Sequence, residues 1–114
     1  MPVIYHITTR LEWNAAIKKG YYTAPSLETE GFIHCCSKYQ IDGVLKRYFK
    51  GQTGLVLLVI AIEKLKSKVI TEWSPAGNDE FPHVYGPIFT EAVLDASSFT
   101  ANMGDTGFEA NPFA

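Results

Sequence analysis

Apolar and polar positions along this chain change period several times, and each change marks an element. Val3 to Ile7 is a short apolar run with β-branched residues, and it predicts a first strand. Thr9 followed by Glu12 has capping-box spacing. Trp13, Ala16 and Ile17 then form a stripe that Gly20 ends, which predicts a helix over 10–19. Tyr21 to Leu27 is broken by Pro25 and reads as irregular, and Phe32 to Cys35 as a short strand. Ser37 and Gln40 repeat the capping spacing. Ile41, Val44, Leu45, Tyr48 and Phe49 follow on one helical face, which predicts a second helix over 38–49.

Leu55 to Ile62 has no polar alternation, so it predicts a strand buried on both faces near the centre of a sheet. Lys68 to Trp73 alternates and predicts another strand, Ser74 to Pro82 a polar loop, and Thr90 to Phe99 a last strand. Residues 101–114 hold Gly104, Gly107 and Pro112 and read as a tail. The expectation is a single compact α+β domain over 1–100, with a mixed or antiparallel sheet and two early helices.

Composition narrows the function. With 114 residues, the chain has room for one core. A net charge of −2 is a poor platform for a phosphate backbone, so nucleic acid is set aside as a partner. The longest apolar run, Leu55 to Ile62, is far short of the roughly 20 residues that span a bilayer, and the N-terminus lacks the features of a leader, so a cytoplasmic protein is expected. Cys35 and Cys36 are adjacent, which disfavours a disulfide between them, and are expected to be reduced; Cys36, at a helix entry, is the more reactive candidate. No CxxC, HxxxH or HExxH spacing points to a metal.

Candidate chemistry rests on the histidines. His6, His34 and His83 each sit inside an apolar or aromatic segment at a strand or strand edge. A histidine held there is positioned by packing and can donate or accept near neutral pH. Phe81-Pro82-His83-Val84-Tyr85-Gly86-Pro87 is the strongest segment, because its prolines fix φ and Gly86 permits close backbone approach. If it is extended, His83 and Tyr85 point to the same side. His6, His34, His83 and Tyr85 are therefore expected to line one pocket.

Tyr5-His6-Ile7-Thr8, Glu12-Trp13, Ser26-Leu27, Glu30-Gly31-Phe32-Ile33-His34-Cys35, Gln40, Leu57-Leu58 and Phe81 to Pro87, in that order over residues 3–96, resemble the short bacterial proteins grouped as domain of unknown function 952. That family is similar in structure to the ADP-ribosyltransferase-like superfamily, which includes diphtheria-toxin-type enzymes and RNA 2′-phosphotransferases. The resemblance implies a cleft between two small sheets that takes NAD or an ADP-ribose-related nucleotide. His6 matches the first-strand histidine, and His34 the next position by order. Thr8, Ser26 and Gly86, inside the matching segments, are the expected cofactor-binding positions. The third position of the superfamily is often a glutamate and has no clear match; Glu91 stands nearest. Two function classes follow: a transferase-like enzyme using His6, His34, His83 and Tyr85, or a non-catalytic module that binds a small anionic ligand or a protein partner.

Overall fold

A computed structural model describes residues 2–99, so the predicted tail over 101–114 lies outside the described residues. In chain order the elements are β1 (Val3–Thr9), α1 (Arg10–Lys19), β2 (Tyr21–Tyr22), α2 (Pro25–Thr29), β3 (Ile33–His34), α3 (Ile41–Tyr48), β4 (Leu55–Ala61), β5 (Lys68–Ser74), β6 (Asp79–Tyr85), β7 (Ile88–Phe89) and β8 (Val93–Phe99). They form one sheet of order β1-β4-β8, one of order β3-β6-β5, and the pair β2-β7. Every pairing among the described residues is antiparallel, so the sheets are antiparallel rather than mixed. Among the described residues no helix is long and apolar enough to cross a membrane.

The first sheet follows from β4. All seven of its residues are buried. His6 pairs with Leu58 and Ile7 with Leu57, so alternate residues feed two cores. Ile4, Val56, Leu58 and Ile60 pack on one face with Trp13 and Ala16 of α1, while Tyr5, Leu55, Leu57 and Val59 pack on the other with Ile41 and Leu45 of α3. Helix α1 begins as its sequence dictates: the Thr9 hydroxyl accepts the Glu12 N–H at 3.1 Å, and Gly20 ends the helix in the left-handed region.

Four expectations are corrected. The stretch Tyr21 to Leu27 is not irregular: Tyr21 and Tyr22 pair with Phe89 and Ile88, and Pro25 opens α2, where its missing N–H leaves no bond unmade. The second helix is preceded by a 3₁₀ turn over Lys38–Gln40 and becomes α-helical at Ile41. Gln40 drives that tight entry, accepting the Ser37 N–H and donating to the Glu80 carbonyl and the Asp79 carboxylate. The expected loop Ser74 to Pro82 shortens to a turn, because β5 continues through Ser74 and β6 starts at Asp79. Pro82 is tolerated within the middle strand because the β3 ladder covers only His83 and Val84; beside it, the Pro82 carbonyl accepts the Cys35 N–H at 3.1 Å. Finally, Thr90–Ala92 is a 3₁₀ turn, and the last strand begins at Val93.

Leu58 is fully buried in the middle strand of its sheet. Leu58→Ala is expected to cost about 2–5 kcal/mol through lost burial and the cavity left behind, read as a lower denaturation midpoint in urea with an unchanged slope.

Candidate functional site: a cleft where two sheets part

The two three-stranded sheets touch at one isolated bridge. Tyr5 and Cys36 exchange both backbone hydrogen bonds at 2.8 Å, and from there β1 and β3 diverge. The divergence leaves the His34 carbonyl without a strand partner on that side, and the His6 ring reaches across to satisfy it. His6 Nδ1–H donates to the His34 carbonyl, which fixes the tautomer, so Nε2 accepts the Tyr22 hydroxyl at 2.7 Å. His6 is buried, and burial pushes its pKa down to about 4, against the raising effect of the His34 carbonyl. Burial also pushes the Tyr22 hydroxyl well up. Both ring nitrogens of His6 are thus spent on joining β1, β2 and β3.

The register of the second sheet groups the other candidates. His34 stands opposite His83, Ile70 opposite His83, and Glu72 opposite Phe81. With side chains alternating along each strand, His34, His83, Tyr85 and Glu72 share one face, while Ile33, Val69 and Val84 turn to the core on the other. Phe32 extends β3 back onto the histidine face. It stacks on His83 at 4.0 Å and lies 4.9 Å from the His34 ring and 5.2 Å from the Tyr85 ring. His34 and His83 meet edge to face at 5.2 Å.

Carboxylates orient both imidazoles. Glu72 Oε1 accepts His83 Nδ1–H at 2.7 Å and the Tyr85 hydroxyl at 2.6 Å. The Tyr85 hydroxyl, and then His83, hold the Glu72 carboxyl below the usual carboxylate range, and Glu72 in turn raises Tyr85. Glu30 pairs with His34 Nε2 at 3.1 Å, with both side chains about half exposed. The rings of His34, His83 and Tyr85 therefore meet around Phe32, while the His6 ring bonds the His34 carbonyl from β1; of the four residues expected in one pocket, His6 and His34 line the cleft between the sheets and His83 and Tyr85 do not.

A cleft of about 630 Å³ opens where the sheets part. His6 and Ile7 line one wall, His34 and Glu30 another, and Arg47 with Phe49 a third. The Arg47 guanidinium lies 5.7 Å from the Tyr48 ring and 5.9 Å from the Phe81 ring, and none of the ion pairs among the described residues involves it. Gly77 makes room for this arrangement, since a side chain there would run into the Phe81 ring.

Thr8, Ser26, Gly86 and Glu91 are not among the residues that line the cleft. Thr8 is buried and donates to the Glu12 carboxylate at 2.9 Å, supporting the start of α1. Ser26 donates to the Phe32 carbonyl at 2.7 Å, and Gly86 sits where a Cβ would strike Ser67. Glu91 lies 3.9 Å from Lys66 on an exposed surface. Both thiols are buried; burial raises Cys35 strongly and pushes Cys36 up to about 12, so neither is a ready nucleophile at neutral pH. Sequence reasoning did not single out Glu72, Glu30, Phe32, Arg47 and Tyr22, which the structure places against these histidines or in the cleft. Glu72 was accessible in principle, because it occupies an alternating position of the predicted strand Lys68 to Trp73. Arg47 carried no signal beyond its place on the exposed side of α3.

His6 generates a pH prediction. Its folded pKa, about 4, lies below the 6.5 of a free histidine, so the folded state binds fewer protons between those values. Stability is then expected to rise with pH across that window and to fall by roughly 3 kcal/mol once His6 is forced to protonate. His6→Asn, which keeps a donor for the His34 carbonyl, is expected to flatten the melting-temperature profile between pH 4 and 6.5. An unchanged slope would show that other groups set it.

Comparison with known proteins adds relatives of the same shape. The chain is similar to the X-ray crystal structure of protein CC0527 from Caulobacter crescentus, with a TM-score of 0.77, 33% identity and 85% of each chain covered. The solution NMR structure of CC0527 from the same organism gives a TM-score of 0.78 at 30% identity, over 97% of this chain and 98% of that one. No match was found among curated proteins. A family model described as Protein of unknown function (DUF952) matches residues 7–96, and the chain belongs to that family.

Proposed function

We propose that this protein binds an NAD- or ADP-ribose-related nucleotide in the cleft between its sheets and acts on the ribose, as an ADP-ribosyltransferase-like enzyme. The observation that carries this reading is the make-up of one cleft of about 630 Å³: aromatic walls, an imidazole–carboxylate pair and an arginine outside the ion pairs of the described residues. Each part has a use. Phe49 and Phe81 offer apolar rings to a base. The planar guanidinium of Arg47 can grip phosphate oxygens through two parallel hydrogen bonds. His34 and Glu30 then face the ribose.

Breaking the bond between nicotinamide and ribose sends its electron pair onto nicotinamide and leaves positive charge on the ribose. That charge is quenched when the oxygen of water or of a hydroxyl acceptor bonds to the anomeric carbon and gives up its proton to solvent. A carboxylate nearby stabilises that charge, most strongly where water is excluded. In this reading Glu30, not Glu91, is the carboxylate of the site. His6 acts as a positioning residue, because both its nitrogens are occupied; it fixes the backbone of His34. That same occupation favours the second reading, a binding module for an anionic ligand without turnover.

Calorimetric titration with NAD and with ADP-ribose tests the binding. Arg47→Ala is expected to weaken the affinity at least ten-fold, and His34→Ala to abolish it while costing less stability than Leu58→Ala, since the His34 side chain is half exposed. Nicotinamide release from NAD separates enzyme from module: binding without release supports the module. No heat and no thermal shift with either nucleotide, from a folded protein, would discard the nucleotide reading.

A further inference from the structure

Among the described residues, three seven-residue strands stand at sheet edges: β1, β5 and β8. The β1 edge is met by Cys36, which exchanges both backbone hydrogen bonds with Tyr5. The β8 edge is broken by a bulge, since Ile60 pairs with Val93 and Val59 with Asp95, leaving Leu94 over. Of the three, β5 alone is both regular and open. It pairs with β6 in one unbroken register, from Lys68 opposite Tyr85 to Ser74 opposite Asp79, and no strand lies on its other side. Such an edge presents a row of backbone donors and acceptors to any chain that can match it.

The side chains of β5 make that match specific. Lys68, Ile70 and Glu72 share the histidine face, and Val69, Thr71 and Trp73 the other. Lys68 is exposed, and none of the ion pairs among the described residues involves it. Glu72 holds both His83 and Tyr85 through Oε1 alone, which leaves Oε2 to accept a further donor. Trp73 is 58% exposed, a large ring left in water on an open edge.

We propose that two copies of this chain join through β5, edge to edge and antiparallel, into one six-stranded sheet of order β3-β6-β5-β5-β6-β3. Charge selects the register. A two-fold axis perpendicular to the sheet keeps facing residues on one side only where it passes through a residue's pair with itself. Centred on Ile70, it sets Lys68 opposite Glu72 at both ends of the pairing and Val69 opposite Thr71. Centred on Lys68 or Glu72, like charges would meet; centred on Val69 or Thr71, Ile70 would face a charged side chain. In the Ile70 register Trp73 lies diagonal to Val69 of the second copy, within an aromatic ring's reach, so the exposed ring gains a cover. Lys68 of the second copy also brings a cation to the carboxylate that orients His83 and Tyr85. The assembly is independent of what the cleft binds.

Sedimentation velocity from micromolar to millimolar protein tests the pairing, and the native chain is expected to run as a dimer at the upper end. Lys68→Glu opposes like charges at both ends of the pairing and is expected to weaken the dimer at least about ten-fold. Glu72→Lys is expected to do the same alone. Mixing the two variants is expected to restore the dimer, because each lysine then faces a carboxylate again. Glu72→Lys also takes the carboxylate from His83 and Tyr85; should it fail to fold by circular dichroism, Ile70→Lys, which sets two lysines against each other on the axis, is expected to give a monomer. Amide exchange is expected to be slow in the dimer for the β5 N–H groups turned away from β6, and fast in the Lys68→Glu chain. A native chain that stays single at millimolar concentration, a dimer that both Lys68→Glu and Ile70→Lys leave intact, or no recovery on mixing folded variants would each overturn the proposal.

Discussion

The fold turns on a single backbone constraint. Two antiparallel sheets meet through the paired hydrogen bonds of Tyr5 and Cys36, and beyond that bridge the strands part. Parting strands leave backbone groups that still need partners, since an unmet buried carbonyl or N–H costs as much as a lost hydrogen bond. The His6 ring meets that need at the His34 carbonyl, and its other nitrogen draws in Tyr22. The cleft is what the parting creates, and a buried histidine keeps its edges from closing or fraying. Loss of His6 would therefore act on the geometry of His34 before it acted on any chemistry.

Much of this was legible in the residues, for local reasons. Helix α1 is written in Thr9, Glu12 and Gly20, and β4 in a run of apolar residues with no polar break. What escaped was set by partners distant in sequence. Tyr21 and Tyr22 become a strand only because Ile88 and Phe89 lie alongside. Pro82 reads as a strand breaker until the shortness of β3 is known. The same division holds for the site. The spacing of His83 and Tyr85 put both on one side of an extended segment, which the register bears out. That Glu72 bridges them depends on β5 pairing with β6, a fact no local pattern contains.

Two kinds of histidine emerge from the same residue type. His6 is held neutral by burial and does structural work, so its charge is a liability that acid exposes. His34 stands at the cleft with a carboxylate beside it and half its surface in water. The difference is set by which face of its strand each occupies: the α1 core takes His6, and the open face of the second sheet takes His34. The cysteines make the same point in reverse. Adjacent in sequence, Cys35 and Cys36 turn to opposite cores, and burial raises both thiols, which offsets the activation that a helix entry lends a cysteine.

The open face of the second sheet also explains why this small domain keeps polar groups it could do without. A sheet covered on one side satisfies its backbone and packs Ile33, Val69 and Val84, whatever stands on the other. Stability alone would fill that other face with solvated side chains. Instead it carries an aromatic ring laid on a histidine, two carboxylates aimed at imidazoles, and a nitrogen with nothing to bond. Of these, the unpartnered nitrogen is unfavourable for folding while the ring stacking and the carboxylate–imidazole bonds favour it, and all of them converge on one surface. Local departures from what folding favours are expected where a chain has been shaped for a ligand.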